Sequence, residues 1–326
     1  MNPFIKSALA ATLVILGAGA AMAQDFPVTI PHAFGETVIP AKPQRIVTWG
    51  WASQDAVLAL GEVPVGIPHF GYGGDENGAL SWDKDAVAAL GAEFPTILPA
   101  GREVPVEAIA ALQPDLIIAV YSGISEDEYK VLSGIAPVVA YPAEAWSASW
   151  QEVITITGTA MGKADEGVAL VAELEQFIID ETAKYPQLAD VNFAAISEYN
   201  GQIDVYADFD SRVKFLVDAG LVSAPIVAEL GQREGLNFSV FSLGYEVFDD
   251  LTADVLVAYF ETPETKAAFF DNAVIALHPQ VAKGAVASVV GAELINSISP
   301  PSALSLKWGY AQYIRLIADA ATAAGK

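Results

Sequence analysis

The sequence predicts an α/β protein of two Rossmann-like lobes joined by a single long helix, with a ligand cleft between the lobes. Three observations predict it. Residues 103–141 (EVPVEAIAALQPDLIIAVYSGISEDEYKVLSGIAPVVAY) alternate helix and strand: Val106–Leu112 helical, Asp115–Val120 extended, Glu126–Leu132 helical, Pro137–Ala140 extended. The strand at Asp115–Val120 is an unbroken apolar run between Pro114 and Ser122-Gly123, as a parallel strand covered on both faces requires. The same alternation resumes after residue 187. Between the halves, Lys163–Tyr185 carries an apolar stripe at helical spacing, Val168, Val171, Leu174 and Ile178, before Pro186 stops it.

Taken in order, Met1–Ala23 reads as a cleaved secretory signal peptide. Lys6 supplies the positive start, Ala8–Ala21 the apolar run, and Ala21-Met22-Ala23 an A-x-A site ahead of Gln24. The apolar run is shorter than the about 20 residues of a membrane span. A first lobe is expected over residues 24–162. Pro27–Ile39 alternates as a hairpin or edge strand, and Arg45–Trp49 is a strand. Gly50–Ser53 is a turn, Gln54–Leu60 a helix closed by Gly61, and Val63–Ile67 the next strand. This rhythm implies right-handed crossovers. Pro68–Ser81, rich in glycine and aspartate, is either a mobile or a ligand-facing loop, and Asp83–Leu90 a helix. The connecting helix occupies residues 163–186 and would span about 35 Å at 1.5 Å per residue.

The second lobe is expected over residues 187–326. Phe193–Ser197 and Ile203–Tyr206 read as strands, and Val213–Ala219 as a helix capped by Gly220. Val255–Phe260 is a buried strand, Thr262–Phe270 a helix and Val286–Val290 a strand. Ser302–Ala321 is a terminal helix behind Pro300-Pro301.

Composition narrows the function. Lysine and arginine total 16 against 40 acidic residues, a net charge of −24, which argues against nucleic acid and anionic membranes as partners. An anionic ligand would need a locally basic patch. With no cysteine, neither a disulfide nor a lipid-bearing thiol is available. A monomer in the periplasm of a two-membrane bacterium, exported and unlipidated, is the expectation. No G-x-S-x-G elbow, cysteine nucleophile, H-E-x-x-H or phosphate-cradling glycine loop occurs. His32, His69 and His278 are too scattered for a local metal motif, so no resident metal or cofactor is expected.

The succession helix–LQPDLII–small residues–acidic helix–APVV resembles the solute-binding proteins of ABC importers for iron–siderophores and cobalamin. So does PxRIVxxxxxxxDAVLALGxxPVG from Pro43 to Gly66, and the lone long helix resembles their rigid spine. The resemblance implies capture of a ferric siderophore and delivery to an inner-membrane permease, with no chemistry on the ligand. A cobalamin or heme binder, or less favourably a chelatase-like or hydrolytic enzyme, are the alternatives.

Ligands of open α/β sheets bind beyond the carboxyl ends of the strands, which makes Tyr121, Trp49 and Trp51 candidate contacts. Tyr72, in the GYGG loop, is another. Siderophore chelates present oxygens and apolar surface, so a site needs aromatic faces and arginines. Arg102, before the 106–112 helix, is the first such arginine. Its proline three residues on, Pro105, resembles the ligand-contacting arginine of ferrichrome-type binders. Arg212, at the start of a helix beyond the Tyr206 strand end, and Arg233 and Phe238, in a loop before Val240, are candidates from the second lobe, with Tyr245. The resemblance also implies one permease-docking glutamate per lobe, Glu126 (SEDEY) and Glu246 (LGYEVFDDL).

Overall fold

The structure is a computed structural model that describes residues 26–101, 103–236 and 239–326. The signal-peptide reading and two candidate contacts, Arg102 and Phe238, lie outside the described residues. A hairpin opens the described chain, β1 (Val28–His32) and β2 (Gly35–Ile39), with alternate residues buried. Then come β3 (Ile46–Thr48), α1 (Ser53–Ala59), β4 (Gly66–Ile67), α2 (Ser81–Ala89) and β5 (Thr96–Ile97). The lobe is completed by α3 (Val106–Ala111), β6 (Leu116–Ile118), α4 (Glu126–Ser133) and β7 (Val138–Val139). Its five strands are all parallel, in the order β5-β4-β3-β6-β7.

That order decides where a ligand can sit. From β3 the chain moves outward through β4 and β5, then returns to the other side of β3 as β6. The crossovers therefore diverge between β3 and β6, and this switch point opens a crevice at their carboxyl ends. Register at the opposite end is pinned by Asp115, whose carboxylate accepts the Gln44 and Arg45 N–H groups, both at 2.8 Å. Arg45 in turn donates to the Leu112 carbonyl at 2.6 Å.

α5 (Trp150–Ala160) and α6 (Ala164–Thr182) form a helical hairpin between the two sheets in sequence. The sequence reading assigned no helix over α5, although Ser149 and Glu152 close a full capping box at its start. α6 ends at Thr182, short of Tyr185, and its 19 residues span about 28 Å. Gly158 and Gly167 let the pair approach closely: a Cβ on Gly158 would lie 3.2 Å from the Gly167 Cα.

The second sheet contains β8 (Asn192–Tyr199) and β9 (Gln202–Tyr206), a hairpin turning at Asn200-Gly201 with φ of 49° and 79°. α7 (Ser211–Asp218), β10 (Val222–Ser223), α8 (Pro225–Glu234), β11 (Val240–Gly244) and β12 (Val255–Phe260) follow. The chain finishes with α9 (Pro263–Asp271), α10 (Pro279–Lys283), β13 (Val286–Val290), α11 (Ala292–Ser297) and α12 (Ser305–Ala324). Strand order is β11-β9-β8-β12-β13, with β10 beside the start of β8. β9 and β11 break the parallel pattern. Because β9 runs back along β8, Tyr206 lies level with the middle of β8 rather than beyond a carboxyl end as a purely parallel reading placed it. Arg233 is likewise corrected: it stands in the last turn of α8, not in a loop. One apolar cluster draws residues from both lobes and the helices between them, including Ile118, Ile154, Leu174, Phe193 and Tyr310.

Candidate functional site

The N-terminal wall of the site follows from the switch point. Trp51 N–H donates to the Tyr121 carbonyl at 2.9 Å, tying the turn after β3 to the segment after β6. Gly50, at φ 89°, makes that approach possible, since a Cβ there would strike the Tyr121 carbonyl oxygen. Ser122, buried, donates its hydroxyl to the Ala119 carbonyl at 2.7 Å and holds the loop against the strand end. Tyr121 then stands edge-on to Trp146, ring centroids 5.7 Å apart. Trp146 is 45% exposed, and its indole lies against Gly123, where any side chain would collide with it. Tyr72, half-buried on the loop after β4, crosses to the other lobe: the Asn296 amide donates to its carbonyl at 3.1 Å.

The facing wall centres on Arg212. Asp210 caps α7, accepting from the Arg212 backbone N–H at 3.0 Å, so the guanidinium is launched from the first turn. It lies 4.1 Å from the centroid of the Tyr206 ring, a cation–π stack. Its Nε donates to Ser299 Oγ at 2.6 Å and its Nη1 reaches Asp210 Oδ2 at 3.3 Å. Tyr206 bonds Ser197 (3.1 Å) and meets Tyr259 edge-on at 5.8 Å, and Tyr259 bonds Tyr313 (2.9 Å).

The two walls feel one another electrostatically. Burial pushes the Tyr72 phenol up to about 12, helped by the Glu261 carboxylate and opposed by Arg212. Burial also raises Tyr121, with Asp210 adding to the shift and Arg212 opposing it. Tyr72 and Tyr121 of one lobe and Arg212 of the other, read separately from sequence, thus lie within electrostatic reach of one another and mark a candidate interlobe site. Tyr206, Trp146, Asp210 and Glu261 complete it and were not singled out. Trp146 belongs to a segment without periodicity, and Tyr206 was read only as a strand end.

Other candidates go elsewhere. Trp49 is half-buried against the core of the first lobe, and Trp51 packs edge-on to Phe70 at 6.1 Å. The Arg233 guanidinium is held by Glu234 (2.6 Å) and Asp250 (2.9 Å). Tyr245 donates to Glu198 at 2.9 Å, beside the β8–β9 turn. Glu126 opens α4 at the surface and pairs with Lys130 at 2.8 Å; Glu246 is exposed after β11. His32 bonds Thr37 (2.9 Å), and His278 stacks on Phe248 at 4.2 Å.

Behind Trp51 lies a second polar cluster, at the seam between the lobes. Asp55 and Asp83, 1% and 0% exposed, flank the Gln54 amide, which donates to Asp55 Oδ1 at 2.7 Å and reaches Asp83 Oδ2 at 3.4 Å. Ser302, from the opposite lobe, donates its hydroxyl to Asp55. Burial raises Asp55 to about 6, and burial plus the Asp55 charge holds Asp83 well above its ordinary range. A cavity of about 10 Å³ adjoins them, room for one water.

Comparisons with known proteins converge on one group. A family model described as periplasmic binding protein matches residues 46–267. The chain is 30% identical over 231 residues to the probable siderophore-binding lipoprotein YfiY of Bacillus subtilis, covering 70% of this chain and 67% of that protein. To the ferric enterobactin-binding periplasmic protein FepB of Escherichia coli it is 25% identical over 297 residues, 86% and 90% of the two chains. Its fold is similar to that of Streptococcus pneumoniae PiaA in complex with ferrichrome, with TM-score 0.79 and 28% identity over 91% of this chain and 99% of that one. A periplasmic solute binding protein of Mycobacterium smegmatis gives TM-score 0.77 at 28% identity, covering 90% and 98%. Among the described residues, no helix is long and apolar enough to cross a membrane.

Proposed function

Because the chain belongs to the periplasmic binding protein family, whose model matches residues 46–267, we propose that it captures a ferric siderophore between its lobes and delivers it to the permease of an ABC importer. The observation that carries this reading is the interlobe meeting of Tyr72 and Tyr121 with Tyr206 and Arg212. In a ferric siderophore, chelating oxygens already fill the iron's coordination sphere. A binder then needs ring faces for the organic shell and a guanidinium for the oxygens, rather than metal ligands. This site offers that combination, in a chain similar to a protein whose structure holds ferrichrome.

The finer assignments are part of the same proposal. Arg102 joins Arg212 as a ligand contact, with Phe238 as a further candidate. Glu126 and Glu246, exposed and one on each lobe, dock the permease. The ligand undergoes no chemistry in the cleft. The mature protein works in the periplasm after loss of residues 1–23, and with no cysteine in the sequence it carries no thiol-linked lipid. The test is a tryptophan-fluorescence titration of the mature protein. Ferric siderophores should quench with sub-micromolar affinity and free ferric ion should bind far more weakly. Tight binding of the bare ion with all chelates inert would refute the reading.

A further inference from the structure

Taking the siderophore reading as its basis, we infer that the cleft selects ferric chelates of zero or positive net charge, the tris-hydroxamate class, and discriminates against tri-anionic tris-catecholates. Three hydroxamates, each a monoanion, cancel the charge of the ferric ion. Three catecholates, each a dianion, leave three negative charges on the complex.

The charges that line the site are on one side of this choice. Arg212 brings a single positive charge, and that charge is already matched by Asp210 at 3.3 Å. Asp210 is itself buried and held in place, accepting from Ser239 Oγ at 2.8 Å and from the backbone of α7. Glu261, directly after β12, adds a second carboxylate close enough to raise the Tyr72 phenol. Crediting Arg102 in full to the cleft brings these groups only to neutrality. Several other described bases are engaged elsewhere. Arg45 serves the Leu112 carbonyl, Arg233 serves Glu234 and Asp250, and Lys130, Lys163 and Lys307 pair with acidic side chains. Nor can the distant field rescue a trianion, since the whole chain carries −24.

A neutral chelate needs none of this missing charge. The guanidinium has five N–H donors, and its bonds to Ser299 and Asp210 leave three for chelate oxygens. Because Asp210 and the Tyr206 ring hold the group in place, those donors are aimed before the ligand arrives. The carbon shell of the chelate meets Tyr121, Trp146 and Tyr72. Asp210 is thus the specificity-determining residue: it orients Arg212 while cancelling the charge that would attract an anion.

The mature protein should be titrated by tryptophan fluorescence with ferrichrome and ferrioxamine B, and with ferric enterobactin as the trianion. The hydroxamates should bind at least about 30-fold tighter, about 2 kcal/mol at 1.4 kcal/mol per tenfold. Asp210→Asn keeps a good helix cap while freeing the Arg212 charge, and Glu261→Gln removes the second carboxylate. Each should narrow the gap about tenfold by the same arithmetic. A measurement on the unmutated protein stands independently of how the variants fold. Raising salt from about 20 to about 500 mM should strengthen trianion binding by screening repulsion and leave ferrichrome binding unaltered. Ferric enterobactin binding as tightly as ferrichrome, or weakening with salt, would overturn the charge inference and leave the siderophore reading standing. Failure of every chelate to bind would overturn both.

Discussion

Replacing Asp83 by asparagine should make this protein more stable at neutral and alkaline pH, although the residue is fully buried. Asp83 and Asp55 share the Gln54 amide with no base close enough to offset them, and Asp83 Oδ1 has no partner among the described residues. A carboxyl that is harder to ionise in the folded chain than in the unfolded one stabilises the fold below its ordinary pKa. That stability is lost as the pH rises through the folded value. For Asp55, raised from 3.8 to about 6, the loss is about 3 kcal/mol at about 1.4 kcal/mol per pH unit. Asp83 is shifted in the same direction by burial and additionally by the Asp55 charge. Asparagine has nearly the same shape, keeps a donor toward Asp55 and removes the titrating group. Urea denaturation of wild type and Asp83→Asn should show the variant ahead near pH 8 by about 1–3 kcal/mol, the cost of a buried group left without a partner, and the gap should shrink as the pH falls toward 4.5. Comparing the two proteins at each pH cancels the carboxylates outside this pair, including Asp75, which backbone N–H groups and Lys84 hold down at about 2. A variant equal to or weaker than wild type at pH 8 would refute the reasoning.

Three further outcomes are expected. Arg212→Ala should weaken binding of ferrichrome roughly ten- to hundredfold, from the 1.5–3 kcal/mol of a charge-assisted hydrogen bond, and Arg102→Ala should do the same by fluorescence titration; unchanged affinity in either removes that arginine from the site. Reversing both exposed glutamates (Glu126→Lys with Glu246→Lys) should leave chelate affinity nearly intact while iron uptake through the importer collapses from like-charge repulsion, and normal uptake by the folded double variant would end the docking assignment. Gly123→Ala, which drives a methyl into the Trp146 indole, should displace that ring from Tyr121 and reduce both quenching and affinity with little effect on thermal stability; a titration indistinguishable from wild type would show that Trp146 is not part of the wall.

Much of the fold was legible because its signals are local. The apolar run of Asp115–Val120 between proline and glycine, the stripe on α6 and the glycine stops of the first lobe each report their own backbone state. Tyr121 followed from them, since a strand's carboxyl end is visible in sequence and the crevice rule supplies the rest. What escaped was set by partners distant in the chain. The antiparallel course of β9 depends on which edge of β8 it joins, so the level of Tyr206, and with it the stack beneath Arg212, could not be read from QIDVY. Arg233 sits in PIVAELGQRE, a ten-residue helix whose Val227 and Leu230 share an apolar cluster with Phe241, a partner beyond the run itself.

By itself, the sequence determined the alternation of strands and helices, the position of α6 but not of its hairpin partner α5, the excess of negative charge, and the presence of tyrosines and an arginine near element ends. Only the tertiary structure decided which of these meet. Tyr72, Tyr121 and Arg212 come from segments 49 and 91 residues apart, and a pairing of that range is fixed by how the sheets and helices bury their apolar faces against one another. Asp55 and Asp83 make the point most sharply. In sequence they are two ordinary acids at helix starts, where exposed carboxylates are favourable. Buried at the seam between two lobes they become a titrating pair, because the loss of water, not the identity of the residue, sets the energy of its charge.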